Sequence, residues 1–162
     1  MTHQLAHAGT TFVNFSNGTY RWVHITRFRI PAVADDSSAL AALIEHELYG
    51  NNYAGGDPGD DPTRHGPYWR DRVTPAVFDL VGGDTAESRL RAWARQEKDP
   101  PETVSADLER EVFQPLRAAE RVYRLRDLGD DALHDWGGVL WEYEEHVLIG
   151  PALLTLVVAA ID

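Results

Sequence analysis

Two runs rich in β-branched and aromatic residues, at 11–15 and 20–30, flank Ser16-Asn17-Gly18-Thr19 and predict an antiparallel hairpin closed by an Asn-Gly turn. Side chains alternate along the second run. Tyr20, Trp22, His24, Thr26, Phe28 and Ile30 share one face, which is expected to be core, and Arg21, Val23, Ile25, Arg27 and Arg29 share the other. Pro31 ends the strand. Asp35-Asp36-Ser37-Ser38 then offers helix caps, and Leu40, Leu43, Ile44 and Leu48 recur at helical spacing up to Gly50, predicting an amphipathic helix over 37–49.

From 51 to 67 the pattern stops. Gly55-Gly56-Asp57-Pro58-Gly59-Asp60-Asp61-Pro62 is too rich in breakers for a regular element, and a loop of this length in a single domain points to a functional or mobile segment. A second helix is expected after Gly82-Gly83, capped by Asp84 with Glu87 three residues on, turning Leu90, Trp93 and Ala94 inward and ending before Pro100-Pro101. A third starts near Ser105 with Leu108, Val112 and Leu116 on one stripe. Pro115 lies inside it, so the helix kinks or two shorter helices meet there. Residues 123–128 read equally as a frayed helix end or a strand.

The last third admits two readings. Leu133, Trp136, Leu140, Tyr143 and Val147 fit a heptad, but Gly137-Gly138 inside a helix costs about 2 kcal/mol, and 153–161 reads as a buried strand. A hairpin of 139–149 with 153–161, turning at Gly150-Pro151-Ala152, uses both segments and is favoured. The order of elements predicts one α+β domain over 1–162. Its antiparallel sheet is built from an N-terminal and a C-terminal β-hairpin, with two or three helices packed on one face. The other face is expected to be partly polar or a homodimer contact.

Composition narrows the chemistry. A chain of 162 residues, 43% apolar and 10% aromatic, is long enough to bury roughly 70% of its extended surface and is no disordered acidic tail. Cysteine is absent, which removes thiolate nucleophiles, redox pairs and zinc ribbons. The only lysine, Lys98, lies in Gln96-Glu97-Lys98-Asp99-Pro100, so there is neither a Walker loop nor a Schiff-base lysine, and Gly-x-Ser-x-Gly and Gly-x-Gly-x-x-Gly are also missing. With 26 acidic against 15 basic residues the net charge is −11, and the average field repels a nucleic-acid backbone. The excess of Arg, Ala and Asp fits coding in a GC-rich bacterial genome. The first residues lack the basic start and apolar core of a signal peptide, and the longest apolar run, 152–161, is about half a membrane span. A cytoplasmic protein without a membrane partner is expected.

Two constellations stand out. His65, Tyr68, Trp69, Arg70, Asp71 and Arg72 follow the loop closely and mix aromatic faces with guanidinium groups, as anion and partner sites do, with Arg27 and Arg29 as a second cationic stripe. Glu142, Glu144, Glu145 and His146 lie within five residues, with His134-Asp135 upstream. On a strand Glu142, Glu144 and His146 share one face, an arrangement suited to acid-base work or a metal. Two weaker patterns fail: Glu45-His46-Glu47 has Gly50 where a zinc-protease helix needs its second histidine, and Asp57, Asp60 and Asp61 lack calcium-loop spacing. His46 is expected on an exposed helix flank.

The leading expectation is a binding or regulatory module without a cofactor, recognising a protein or small anionic ligand through residues 51–72, with His65, Tyr68, Trp69, Arg70 and Arg72 as contacts, and through the nearby Arg27 and Arg29. The alternative is a small metal-dependent or acid-base hydrolase using His134, Asp135, Glu142, Glu144 and His146, the only reading that calls for a divalent metal. An accessory or immunity protein of a bacterial defence or toxin system ranks third, argued from acidity alone.

Overall fold

The computed structural model of the protein describes residues 4–31, 34–54 and 57–162. Gly55 and Gly56 of the expected loop, and the first three residues of the signal-peptide reading, lie outside the described residues. β1 (Ala6–Asn14) and β2 (Arg21–Arg29) form the N-terminal hairpin. α1 (Asp36–Glu45) follows, capped by the Asp35 carboxylate, which accepts from Ser38 N at 2.7 Å. A two-residue ladder joins β3 (Arg64–His65) to β4 (Tyr68–Trp69). Next come β5 (Phe78–Val81), α2 (Gly83–Arg95) and α3 (Glu102–Leu108). A π-helical stretch Glu109–Phe113 leads into α4 (Gln114–Ala118), and β6 (Arg121–Leu125), β7 (Trp141–Ile149) and β8 (Leu153–Ile161) complete the chain.

Six strands make one antiparallel sheet in the order β1-β2-β8-β7-β6-β5. The two hairpins meet in its middle, where β2 pairs with β8 from Arg21 opposite Ile161 to Arg29 opposite Leu153. Both flanking strands of β8 lie within the sheet, so its apolar residues are buried on both sides, and two cores result. One packs Trp22, Phe28, Leu154, Leu156 and Val158 against α1 and residues 47–73. The other packs Val23, Ile25, Val157 and Ala159 against Leu90 and Trp93 of α2 and against α3 and α4. Helices α2 to α4 thus cover one face, while the face expected to be polar or dimeric is closed by α1 and the long loop. Among the described residues no helix is long and apolar enough to cross a membrane.

Several local expectations are corrected. The first helix stops at Glu45, and Glu47–Tyr49 forms a separate 3-10 turn capped by His46 Nδ1, which accepts from Leu48 N at 3.0 Å. His46 is half-buried and packs edge-on against Phe28 at 4.8 Å between ring centroids. Gly82, not Asp84, is the N-cap of α2, and α3 begins at Glu102 directly after Pro100-Pro101. Pro115 lacks an amide hydrogen and crowds the preceding turn. The wide π turn immediately before it absorbs the conflict, so two short helices meet there. Gly137-Gly138 sit in a 3-10 turn, Gly137–Val139, ahead of β7, which removes the helical alternative for the last third.

Candidate functional site

The long loop is tied down at both ends by one carboxylate. Glu145 on β7 is 1% exposed. Its Oε2 accepts from Tyr49 Oη at 2.6 Å, and its Oε1 meets His65 Nε2 and Tyr143 Oη, each at 2.5 Å. His65 Nδ1 donates to the Tyr49 carbonyl at 2.6 Å, and the Tyr49 and His65 rings stack at 3.5 Å and 3°. Residues 49 and 65 are therefore clamped together. Burial pushes the Glu145 carboxyl upward, but the adjacent His65 and the hydrogen bonds from His65, Tyr143 and Tyr49 outweigh it and leave the group below its ordinary value. Gly66 has φ +54°, and a Cβ there would fall 2.5 Å from Tyr143 Oη, so the ring can approach only a glycine.

Inside the loop, hydrogen bonds replace regular structure. Gly59 N and Asp61 N both donate to the Gly50 carbonyl, and Asn52 Nδ2 donates to Asp61 Oδ2 at 2.8 Å. Asn51 bridges to His65, and its Oδ1 accepts from Tyr53 N at 2.8 Å, holding Tyr53 at φ +60°. A tyrosine in that conformation is strained. Its ring is fixed by stacking on Trp22 at 5.5 Å and 27°, and by edge contacts to His24 at 5.4 Å and His65 at 5.7 Å.

This arrangement opens a cleft of about 600 Å³ between the loop and the first hairpin. Phe12, Trp22, His24 and Tyr53 form its aromatic wall, Val139 and Leu140 close the far side, and Asn51 and Asp162 supply polar groups. Phe12 lies opposite His24 across the β1–β2 pair, which places both rings beside Trp22. Asp162 Oδ1 accepts from Trp22 Nε1 at 2.9 Å. Asn51 is buried, and its Oδ1 is occupied by Tyr53 N. Burial, helped by His65 nearby, pushes the His24 imidazole down to about 4, so it is uncharged at neutral pH.

A second cleft, of about 800 Å³, lies against α1 and holds the predicted recognition residues Trp69, Arg70 and Arg72. The guanidinium of Arg70 caps α1 from below: Nε donates to the Ile44 carbonyl at 3.0 Å, and Nη2 to the Ile44 and His46 carbonyls at 2.5 and 2.8 Å. Trp69 lies under Arg64 at 5.1 Å and edge-on to His134. His65 and Tyr68 are buried, Tyr68 Oη accepting from Leu128 N at 3.4 Å. Arg27 pairs with Glu111 and donates to Thr11 Oγ1, whereas Arg29 and Arg72 are exposed without a partner among the described residues. Only Trp69, Arg70 and Arg72 of that set are brought together.

The five predicted catalytic residues do not meet. Glu144 and His146 point to the face under α2, Glu144 pairing with Arg89 and with Arg124 at 3.2 Å. His146 is wholly buried, and neither ring nitrogen has a hydrogen-bond partner among the described residues. Burial first, then Arg124 and Arg89, push it down to about 3. Glu142 is displaced from that face by an irregularity between Trp141 and Glu144, adopts φ +48° and is exposed. His134 donates from Nε2 to the Gly66 carbonyl at 2.7 Å and accepts from Trp136 N at Nδ1, while Asp135 is exposed. Among the described residues no three His, Asp or Glu side chains are placed to share a metal ion.

Compared with protein-family models, with curated proteins and with solved structures, the chain has no significant match in any of the three. The cleft residues Trp22, Asn51 and Tyr53 were missed in the sequence because they look like a strand face and a loop start. The one signal for them was the alternation that puts Trp22 and His24 on one face together with an aromatic in the adjoining loop.

Proposed function

We propose that the protein is a binding module for a small molecule, held in the cleft that Asn51, Tyr53, Ala54 and Pro58 form with the N-terminal hairpin. The observation that carries this reading is the cleft itself. Its volume falls within the range of ligand sites, its wall is aromatic, and the polar side chains of Asn51 and Asp162 line it. The clamp on Glu145 supports it further, because it holds the loop wall in a fixed position before any ligand arrives. The cytoplasmic setting expected from the sequence is kept as part of the proposal. An anionic ligand at the second cleft has weaker support, since Arg70 is engaged with backbone carbonyls and Arg72 is the cation left there.

A thermal-shift screen with small aromatic fragments tests the reading. Fragments should stabilise the wild-type protein and Arg72→Ala alike, and lose their effect on Ala54→Trp, in which an indole fills the cleft from an exposed loop position. Equal stabilisation of Ala54→Trp would refute the assignment.

A further inference from the structure

We infer that the cleft selects a planar aromatic cation, a flat ring carrying one positive charge. This rests on the binding reading above and adds the ligand's charge to it. Three features point the same way. First, the rings of Phe12, Trp22, His24 and Tyr53 form a connected cluster along the cleft at centroid distances of 5.4 to 6.3 Å, and a flat cation is attracted to the π faces such a cluster offers. Second, among the described residues no lysine or arginine lines the cleft, and its acidic side chain is that of Asp162. The Trp22 indole N–H occupies Oδ1 of that carboxylate, and Oδ2 has no partner among the described residues. Third, burial keeps His24 uncharged at neutral pH, so it brings no repulsive charge, and the net charge of −11 draws cations toward the surface as a whole.

The order of affinities is the consequence. A neutral ring gains the stacking, a cationic one gains stacking and the Asp162 attraction, and an anionic one meets that carboxylate without any compensating group. Isothermal titration calorimetry at pH 7 and low salt, with tryptamine, tryptophol and indole-3-acetate as cationic, neutral and anionic probes on one ring, reads this directly. Tryptamine should bind about fivefold more tightly than tryptophol, with indole-3-acetate weakest, and the preference should shrink as salt is raised. In Asp162→Asn, which keeps an oxygen for the Trp22 indole, the tryptamine-to-tryptophol ratio should fall to near one, and in Arg72→Ala it should stay at its wild-type value. Equal binding of tryptamine and tryptophol, tightest binding of indole-3-acetate, or a ratio insensitive to Asp162→Asn overturns the inference while leaving the binding reading intact. Failure of all three probes to bind overturns both.

Discussion

Buried ionisable groups set the behaviour of single residues in this protein. Glu145 has three hydrogen-bonding partners, and Glu145→Gln would leave His65 and the two tyrosine hydroxyls facing an amide that cannot accept from all of them. Breaking such a buried charged cluster costs about 3 kcal/mol, or about 10 °C in a domain of this size. Calorimetry of Glu145→Gln should show that loss, and a shift under 2 °C would mean the clamp contributes little. His146 is the opposite case, a buried imidazole with no partner among the described residues. Its pKa in the folded protein, about 3, lies below the ordinary 6.5, so protonation favours the unfolded chain. Its full contribution to stability is present above pH 6.5 and is lost as pH falls toward 3. Each pH unit in that window costs about 1.4 kcal/mol, or about 2 kcal/mol by pH 5. Urea unfolding at pH 7.5 and pH 5.0 should therefore show His146→Leu losing about 2 kcal/mol less than the wild type over that interval. An identical loss in both proteins would show that His146 titrates normally. Glu145, with its depressed value, adds to acid sensitivity only below its ordinary 4.5.

At the scale of elements, two arginines finish helices. Arg21 is 1% exposed and donates from Nε to the Trp93 carbonyl at 2.9 Å, with Gln96 and Glu97 taking its other nitrogens, so it closes the C-terminus of α2 from the neighbouring strand. Arg70 does the same for α1. Removing a charged donor from backbone carbonyls that no longer have a partner costs about 2 kcal/mol. Arg70→Ala should lower the unfolding midpoint by about 6 °C and Arg72→Ala by less than 1 °C, measured side by side by circular dichroism. Equal effects would make Arg70 an ordinary surface residue. In the sequence the two arginines look alike, because the carbonyls that distinguish them belong to residues 44 and 46. The elements themselves were easier to read. Alternation in 21–29, the 40-43-44 spacing and the Gly-Pro turn at 150–151 each state a local preference that the tertiary structure keeps, whereas Leu48 falls in a separate 3-10 turn. β5, whose four residues Phe78-Asp79-Leu80-Val81 carry no turn signal of their own, was not legible. It exists because β6 offers it an edge.

For the whole molecule, the sheet is the device that makes the site. Pairing β2 with β8 buries both faces of the centre, and the loop that covers one face is anchored by Glu145 and leaves a gap at the end where β1, β2 and β8 terminate. The sequence showed the loop and its neighbouring aromatics, and it placed recognition in that region, but it could not show which groups would be consumed in holding the loop. Tyr68, His65 and Arg70 anchor it, and Tyr53 and Asn51, which carry no motif, line the cleft. The clustering of Glu142, Glu144, Glu145 and His146 along β7 is likewise divided by the strand itself, since alternate residues face opposite cores and the irregularity at Trp141/Glu144 turns Glu142 away. Charge follows the same logic. On the helical face charge is balanced locally, where Glu87 and Glu109 share Arg91 and Arg117.

The most direct measurement is a map of backbone amide shifts as tryptophol is added to the isotope-labelled protein. The account expects saturable shifts concentrated at Trp22, Asn51, Tyr53 and Leu140 around the cleft. No shifts at all, or shifts centred on Trp69, Arg72 and Val73 in the second cleft, would contradict it.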